Sequence, residues 1–114
     1  MASKEGAQKI IKANTFMGRL KGLLGTNHLP SDTGLLLEPC NRIHTWGMKY
    51  AIDALFLDQD NQVVHLVVDL APNKWGAGCS QAVKVLELQA GQVKTRGIEV
   101  GDVINLEKGR AEAQ

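Results

Sequence analysis

The stretch that decides the fold runs Ala54-Leu55-Phe56-Leu57-Asp58-Gln59-Asp60-Asn61-Gln62-Val63-Val64-His65-Leu66-Val67-Val68-Asp69-Leu70. Two apolar runs flank four polar residues. Aspartate and asparagine side chains bond their own backbone in tight turns, so Asp58 to Asn61 reads as a hairpin turn. Gln62 to Leu70 is rich in valine, whose branched side chain suits a pleated strand. Asp58 and Asp60 read as turn residues, not calcium ligands, because no bidentate Glu follows at loop spacing.

Working outward, the same grammar recurs. Ile10-Ile11, Gly34 to Glu38, Asn41 to Trp46, Ala82 to Leu88 and Val103 to Leu106 read as further short strands. Pro72-Asn73 and Gly76-Ala77-Gly78 form a loop, Ala90-Gly91 and Gly101-Asp102 turn the chain, and Gln92 to Gly97 reads as a helical turn. Asn14 or Thr15 can cap one clear helix, with Phe16, Met17, Leu20, Leu23 and Leu24 on one face and Gly25 at its end. Strands do not alternate with helices, so a doubly wound parallel sheet is disfavoured. The expected class is mainly β, with α+β as the alternative. The expected architecture is a sandwich or partly open barrel carrying one short N-terminal helix.

The totals set limits. A chain of 114 residues is one domain, residues 1–114, with a core over about residues 8–107 and flexible ends. Thirteen basic and twelve acidic residues leave a net charge of +1, too balanced for a chain devoted to nucleic acid. No apolar run approaches the ~20 residues that span a bilayer. The start, Met-Ala-Ser-Lys-Glu-Gly, lacks the apolar stretch of a signal peptide, so the expected location is the cytoplasm, with no membrane partner. In a reducing compartment Cys40 and Cys79 default to free thiols.

Candidate chemistry gathers between Cys40 and Met48. In an extended segment Cys40, Arg42, His44 and Trp46 share one face, and Asn41, Ile43 and Thr45 share the other. Arg42 can hold a carboxylate or phosphate through two parallel hydrogen bonds. His44 brings an imidazole that could move a proton or bind a metal, and Trp46 offers a flat apolar wall. The same pattern suits a strand with one core face and one solvent face. No Cys-x-x-Cys, His-x-x-x-His or His-Glu-x-x-His spacing occurs, so no metal is expected, and no cofactor fingerprint is present. Cys40 and His44 would lie about 13 Å apart on a strand, at ~3.3 Å per residue, too far for a nucleophile pair. Cys79, after a glycine-rich loop, is free to meet His44. Asp53 sits beside apolar residues and is read first as an acceptor of backbone N–H bonds in a turn. Glu87, inside Val85-Leu86-Glu87-Leu88, poses the same question and could pair with Arg42 or Lys49. Asp102 reads as a turn residue.

The order of several blocks is recognisable. They are Leu20-Lys21-Gly22-Leu23-Leu24-Gly25, Leu29-Pro30, Gly34 to Leu37, and His44-Thr45-Trp46-Gly47-Met48-Lys49 with Ile52-Asp53 and Phe56-Leu57-Asp58. Val85-Leu86-Glu87-Leu88 with Ala90-Gly91 follows, and then Gly101-Asp102. The series, over about residues 13 to 106, resembles the domain-of-unknown-function family numbered 192. The resemblance implies a mainly β, jelly-roll-like sandwich with a short N-terminal helix. It brings no activity, cofactor or catalytic residue. It implies that many relatives carry an export signal, which this sequence does not show. It also implies that Cys40 and Cys79 could meet as a thiol pair or disulfide.

Three readings follow. The first is a small soluble binding module with a polar pocket or face around His44. It would take a small polar or anionic ligand on Cys40, Arg42, His44, Trp46, Lys49, Asp53 and Cys79. The second is a protein-interaction module without a pocket, centred on Trp46 and Trp75. The third is an enzyme, using a thiol or a His44–Asp53 pair.

Overall fold

The computed structural model describes residues 4–13, 29–76, 78–107 and 110–112. The hairpin expected from the deciding stretch is its centre. Strand β4 (Ile52–Leu57) pairs antiparallel with β5 (Val63–Leu70). Between them Asp58 Oδ1 accepts the N–H groups of Asp60 and Gln62, at 2.9 and 3.0 Å. This is the local bonding that makes aspartate a turn former.

Around the hairpin lie β1 (Lys4–Glu5), β2 (Lys9–Ala13), β3 (Thr33–Leu37), β6 (Lys84–Gln89), the single-turn helix α1 (Gln92–Thr95), β7 (Ile104–Asn105) and β8 (Arg110–Glu112). Six strands form one sheet in the order β5-β4-β6-β3-β2-β8, and β1 pairs with β7 in a second. β2 runs parallel to both β3 and β8, while the other pairings in the large sheet are antiparallel. The large sheet is therefore mixed and not doubly wound. Neither sheet closes on itself among the described residues, so open sheets replace the expected partly open barrel. The expected helix from Phe16 to Leu24 lies outside the described residues. The helical turn expected at Gln92 to Gly97 is α1.

The central strands β3, β4 and β6 are buried on both faces. That explains why their sequences are near-continuous apolar runs instead of alternating ones. One face carries Leu35, Leu37, Ile43, Met48, Ile52, Ala54, Phe56 and Val85. The other carries Ile10, Leu36, Leu55, Leu57, Leu86 and Leu88, covered by Val93, Ile98, Ile104 and Leu106. Each such side chain contributes about 1.5–3 kcal/mol by leaving water. The edge strand β5 is only half covered. The sequence reading differs from the structure at Asn41 to Trp46. This segment is a loop with one isolated bridge, Arg42 to Gly78, and no strand. Its backbone bonds go to a second loop instead of a ladder. No helix among the described residues is long and apolar enough to cross a membrane.

Candidate functional site

Thr45 organises the loop. Its buried hydroxyl donates to the Ala71 carbonyl at 2.6 Å and accepts from the Lys74 N–H at 2.9 Å. Its backbone N–H donates to the Lys74 carbonyl, and its carbonyl accepts from Asn73 and Met48. Asn73 Oδ1 accepts the Gly47 N–H at 2.8 Å, and the Asn41 carbonyl accepts the Cys79 N–H. Residues 40–48 and 71–79 thus form one clasp of two loops. The approach is so close that a Cβ on Gly76 would sit 1.4 Å from the Ile43 carbonyl oxygen, so only glycine fits there. A Cβ on Gly78 would meet the Arg42 guanidinium at 2.7 Å, so the bare glycine lets that side chain lie across the loop.

The clasp sorts five of the seven side chains as the alternation predicts; Cys40 packs on the core instead of joining Arg42, and Asn41 lies in solvent instead of joining Ile43. Ile43 and Thr45 point into the core, while Arg42, His44 and Trp46 are exposed. His44 Nδ1 accepts the Trp46 N–H at 3.3 Å. Trp46, 46% exposed, meets Trp75, 81% exposed, edge to face with ring centroids 5.4 Å apart. Lys49 and Lys74 are exposed on the same two segments. Residues 40–50 and 71–83 include Arg42, Lys49 and Lys74 but no Asp or Glu. The outcome is a basic, aromatic surface. The sequence reading noted Trp75 only as an interaction residue, and Lys74 escaped it. Neither stands in a motif, and only the clasp brings them beside Trp46.

The cysteines are half-buried free thiols packed on the same core face. Cys40 Sγ donates to the Arg42 carbonyl at 3.2 Å. Burial pushes its thiol above the usual range, and the charge of Glu87 adds to the rise. That is opposite to what an activated thiolate needs. Cys40 also lines a shallow concavity of about 330 Å³ with Pro39, Asn41, Ala82 and Val83.

Asp53 lies elsewhere. One residue of β4, Asp53, faces two of β5, because Ile52 pairs with Leu70 and Ala54 with Val67. This bulge frees the Asp69 N–H, and Asp53 Oδ1 accepts it at 2.9 Å. Oδ2 accepts the N–H groups of Gly91 and Val93, both at 3.0 Å. Asp53 is thus a buried acceptor tying the β5 bulge to the turn at Gly91 and the first turn of α1. It borders a concavity of about 420 Å³ with Val68, Asp69 and Lys94. Its carboxylate works on the sheet face opposite the clasp, so no His44–Asp53 pair forms.

Glu87 is the other buried carboxylate, and it faces the clasp side of the sheet, opposite Leu35 on β3 and Ala54 on β4. It is fully buried, and neither oxygen has a hydrogen-bond partner among the described residues. The expected pairing with Arg42 or Lys49 does not form, because both those side chains stay in solvent. Desolvation alone raises the Glu87 carboxyl to about 8. Tyr50 is pushed up by burial first, and by the Glu87 charge second. No group of three or more His, Cys, Asp or Glu side chains placed to hold a metal occurs among the described residues.

The model of the DUF192 family, described as "Uncharacterized ACR", matches residues 2–106. The chain belongs to the DUF192 family. The fold of this DUF192 chain recurs in two crystal structures. One is a protein of unknown function from Novosphingobium aromaticivorans, with TM-score 0.68 and 18% identity, covering 89% of this chain and 80% of the other. The second is from Sinorhizobium meliloti and is described as a "putative transcription regulator". It has TM-score 0.68 and 23% identity, covering 82% of this chain and 78% of the other. At such identities the likeness shows the DUF192 fold alone. No curated protein matches the chain.

Proposed function

We propose that the chain is a small binding module whose clasp surface takes a polar anionic ligand bearing a flat ring. The observation that carries this reading is the exposed Trp46–Trp75 pair on two segments with three cations and no carboxylate. Indole faces stack on planar rings, and Arg42 supplies a fork for an anionic group. His44, and Lys49 at the end of the first loop, complete the surface. Cys40 and Cys79 support it from the core side, and Asp53 stabilises the scaffold without touching the ligand. The clasp holds the surface in place before binding, which limits the ordering cost of association. The finer architecture belongs to the same proposal. The β1–β7 pair covers one face of the large sheet through Ile104, and this layering supports a jelly-roll-like sandwich. The description of the Sinorhizobium protein gives no DNA-binding role to this chain, whose overall charge is close to neutral.

Calorimetric titration with adenosine monophosphate, and with inorganic phosphate alone, tests the reading. The nucleotide is expected to bind more tightly than phosphate. Arg42→Ala and Trp75→Ala are each expected to weaken it by about tenfold, the size of a lost charge-assisted bond or stack. Equal affinities in the wild type and both variants would remove the clasp as the site.

A further inference from the structure

We propose that the concavity between the β5 bulge and α1 is a second binding site, which takes a small zwitterion with an aliphatic side chain, of the class of a free aliphatic α-amino acid. The concavity holds about 420 Å³ and is lined by Asp53 of β4, Val68 and Asp69 of β5, and Ala90, Val93 and Lys94 around α1. Small-molecule sites have this size and this make-up, mostly apolar walls with a few polar groups that fix orientation. On a regular strand Val68 and Asp69 would point to opposite faces. The bulge sets both against the single residue Asp53, and both border the concavity. Asp69 adopts φ 53, a left-handed conformation that aspartate tolerates better than most residues. Val68 is 58% exposed, while Val93 is buried, so the apolar wall runs from solvent to the core.

Two opposite charges flank this wall. Asp69 and Lys94 are both exposed and both border the concavity. Among the described residues neither forms an ion pair, with the other or with a third group. They therefore stand further apart than a direct salt bridge allows, and the complement is one molecule that carries both charges. Its ammonium would face Asp69 on the sheet side, its carboxylate would face Lys94 on α1, and its side chain would lie on Val68, Ala90 and Val93. The N–H groups of Gly91 and Val93 are engaged by Asp53, so the ligand's carboxylate is recognised by the Lys94 side chain and not by the end of the single-turn helix. Asp53 also accepts the Asp69 N–H, so one buried carboxyl fixes the two sides of the concavity relative to each other before binding. Binding forms no covalent bond. This site is separate from the clasp surface, which uses Trp46, Trp75 and Arg42.

The test is a ¹H–¹⁵N NMR titration of the full chain with L-leucine. The controls are glycine, which lacks the aliphatic side chain, isoamylammonium chloride, which lacks the carboxylate, and sodium isocaproate, which lacks the ammonium. Leucine is expected to shift the amide resonances of Val68, Asp69, Ala90 and Lys94 along one saturable curve. Glycine should bind about tenfold more weakly or worse, the loss of a buried leucine side chain. Each singly charged control should bind the wild type about threefold more weakly than leucine, the size of a partly exposed ion pair. Asp69→Asn and Lys94→Gln should each weaken leucine by the same factor, and asparagine keeps the left-handed backbone at position 69. Trp75→Ala should leave leucine binding unchanged, so failure of the clasp reading and failure of this one are distinguishable. The proposal is overturned if leucine gives no saturable shift at these residues, if both singly charged controls bind as tightly as leucine, or if both charge-removing variants keep the wild-type affinity.

Discussion

Asp53 and Glu87 are both carboxylates buried in central strands of one sheet, yet their surroundings are opposite. Asp53 points to the face where the β5 bulge and the turn at Gly91 converge, and it accepts three backbone N–H bonds. Glu87 points to the clasp face and accepts none among the described residues. Three oriented N–H dipoles replace the water that an ionised carboxylate loses on burial. Nothing replaces it at Glu87, so the proton stays on until about pH 8. The pair shows that burial alone does not decide what an acid contributes. The hydrogen-bond donors brought to it do, and here one acid ties the scaffold together while the other has no hydrogen-bond partner among the described residues.

The comparison is broken most severely at Asp53. Asp53→Ala strands three N–H groups that had a carboxyl acceptor, and each donor left unsatisfied costs about 1–3 kcal/mol. The expected loss is at least about 4 kcal/mol in urea unfolding, with Asp53→Asn losing less because it keeps one acceptor oxygen. At Glu87 the effect is smaller and has the opposite sign. The folded-state carboxyl is raised to about 8, against an ordinary value of 4.5. The stability it contributes is therefore complete below pH 4.5 and is lost as pH rises towards 8. Between pH 5 and 7.5 this group removes about 3 kcal/mol. Glu87→Met, close in volume and without charge, is expected to flatten that part of the pH–stability profile. At pH 7.5 it should be more stable than the wild type, as measured by urea unfolding across the range. A profile equally steep in both proteins would remove Glu87 as its source.

Much of the fold was legible because it rests on local chemistry. Asp58 to Asn61 announced the hairpin through aspartate's own turn bonding, and the valine-rich run announced β5. The segment from Asn41 to Trp46 misled in its backbone and was right in only part of its side chains, since Asn41 lies in solvent and the preceding Cys40 packs on the core. Alternation separates Ile43 and Thr45 from Arg42, His44 and Trp46 in either case, while the bonding partners of the loop lie some thirty residues away. Trp75 and Lys74 joined the surface only through that distant clasp. Asp53 and Glu87 look alike in sequence, each an acid set among aliphatic residues. What distinguishes them is the segment that crosses each face of the sheet, a tertiary fact with no local signature.

The most direct measurement is the ionisation of Glu87 itself in the free protein. A ¹³C-detected pH titration of its carboxyl carbon from pH 3 to 10 should show half-ionisation near pH 8. A midpoint near the ordinary 4.5 would mean that Glu87 has a donor or water in contact, and it would contradict the unpaired acid on which the contrast with Asp53 depends.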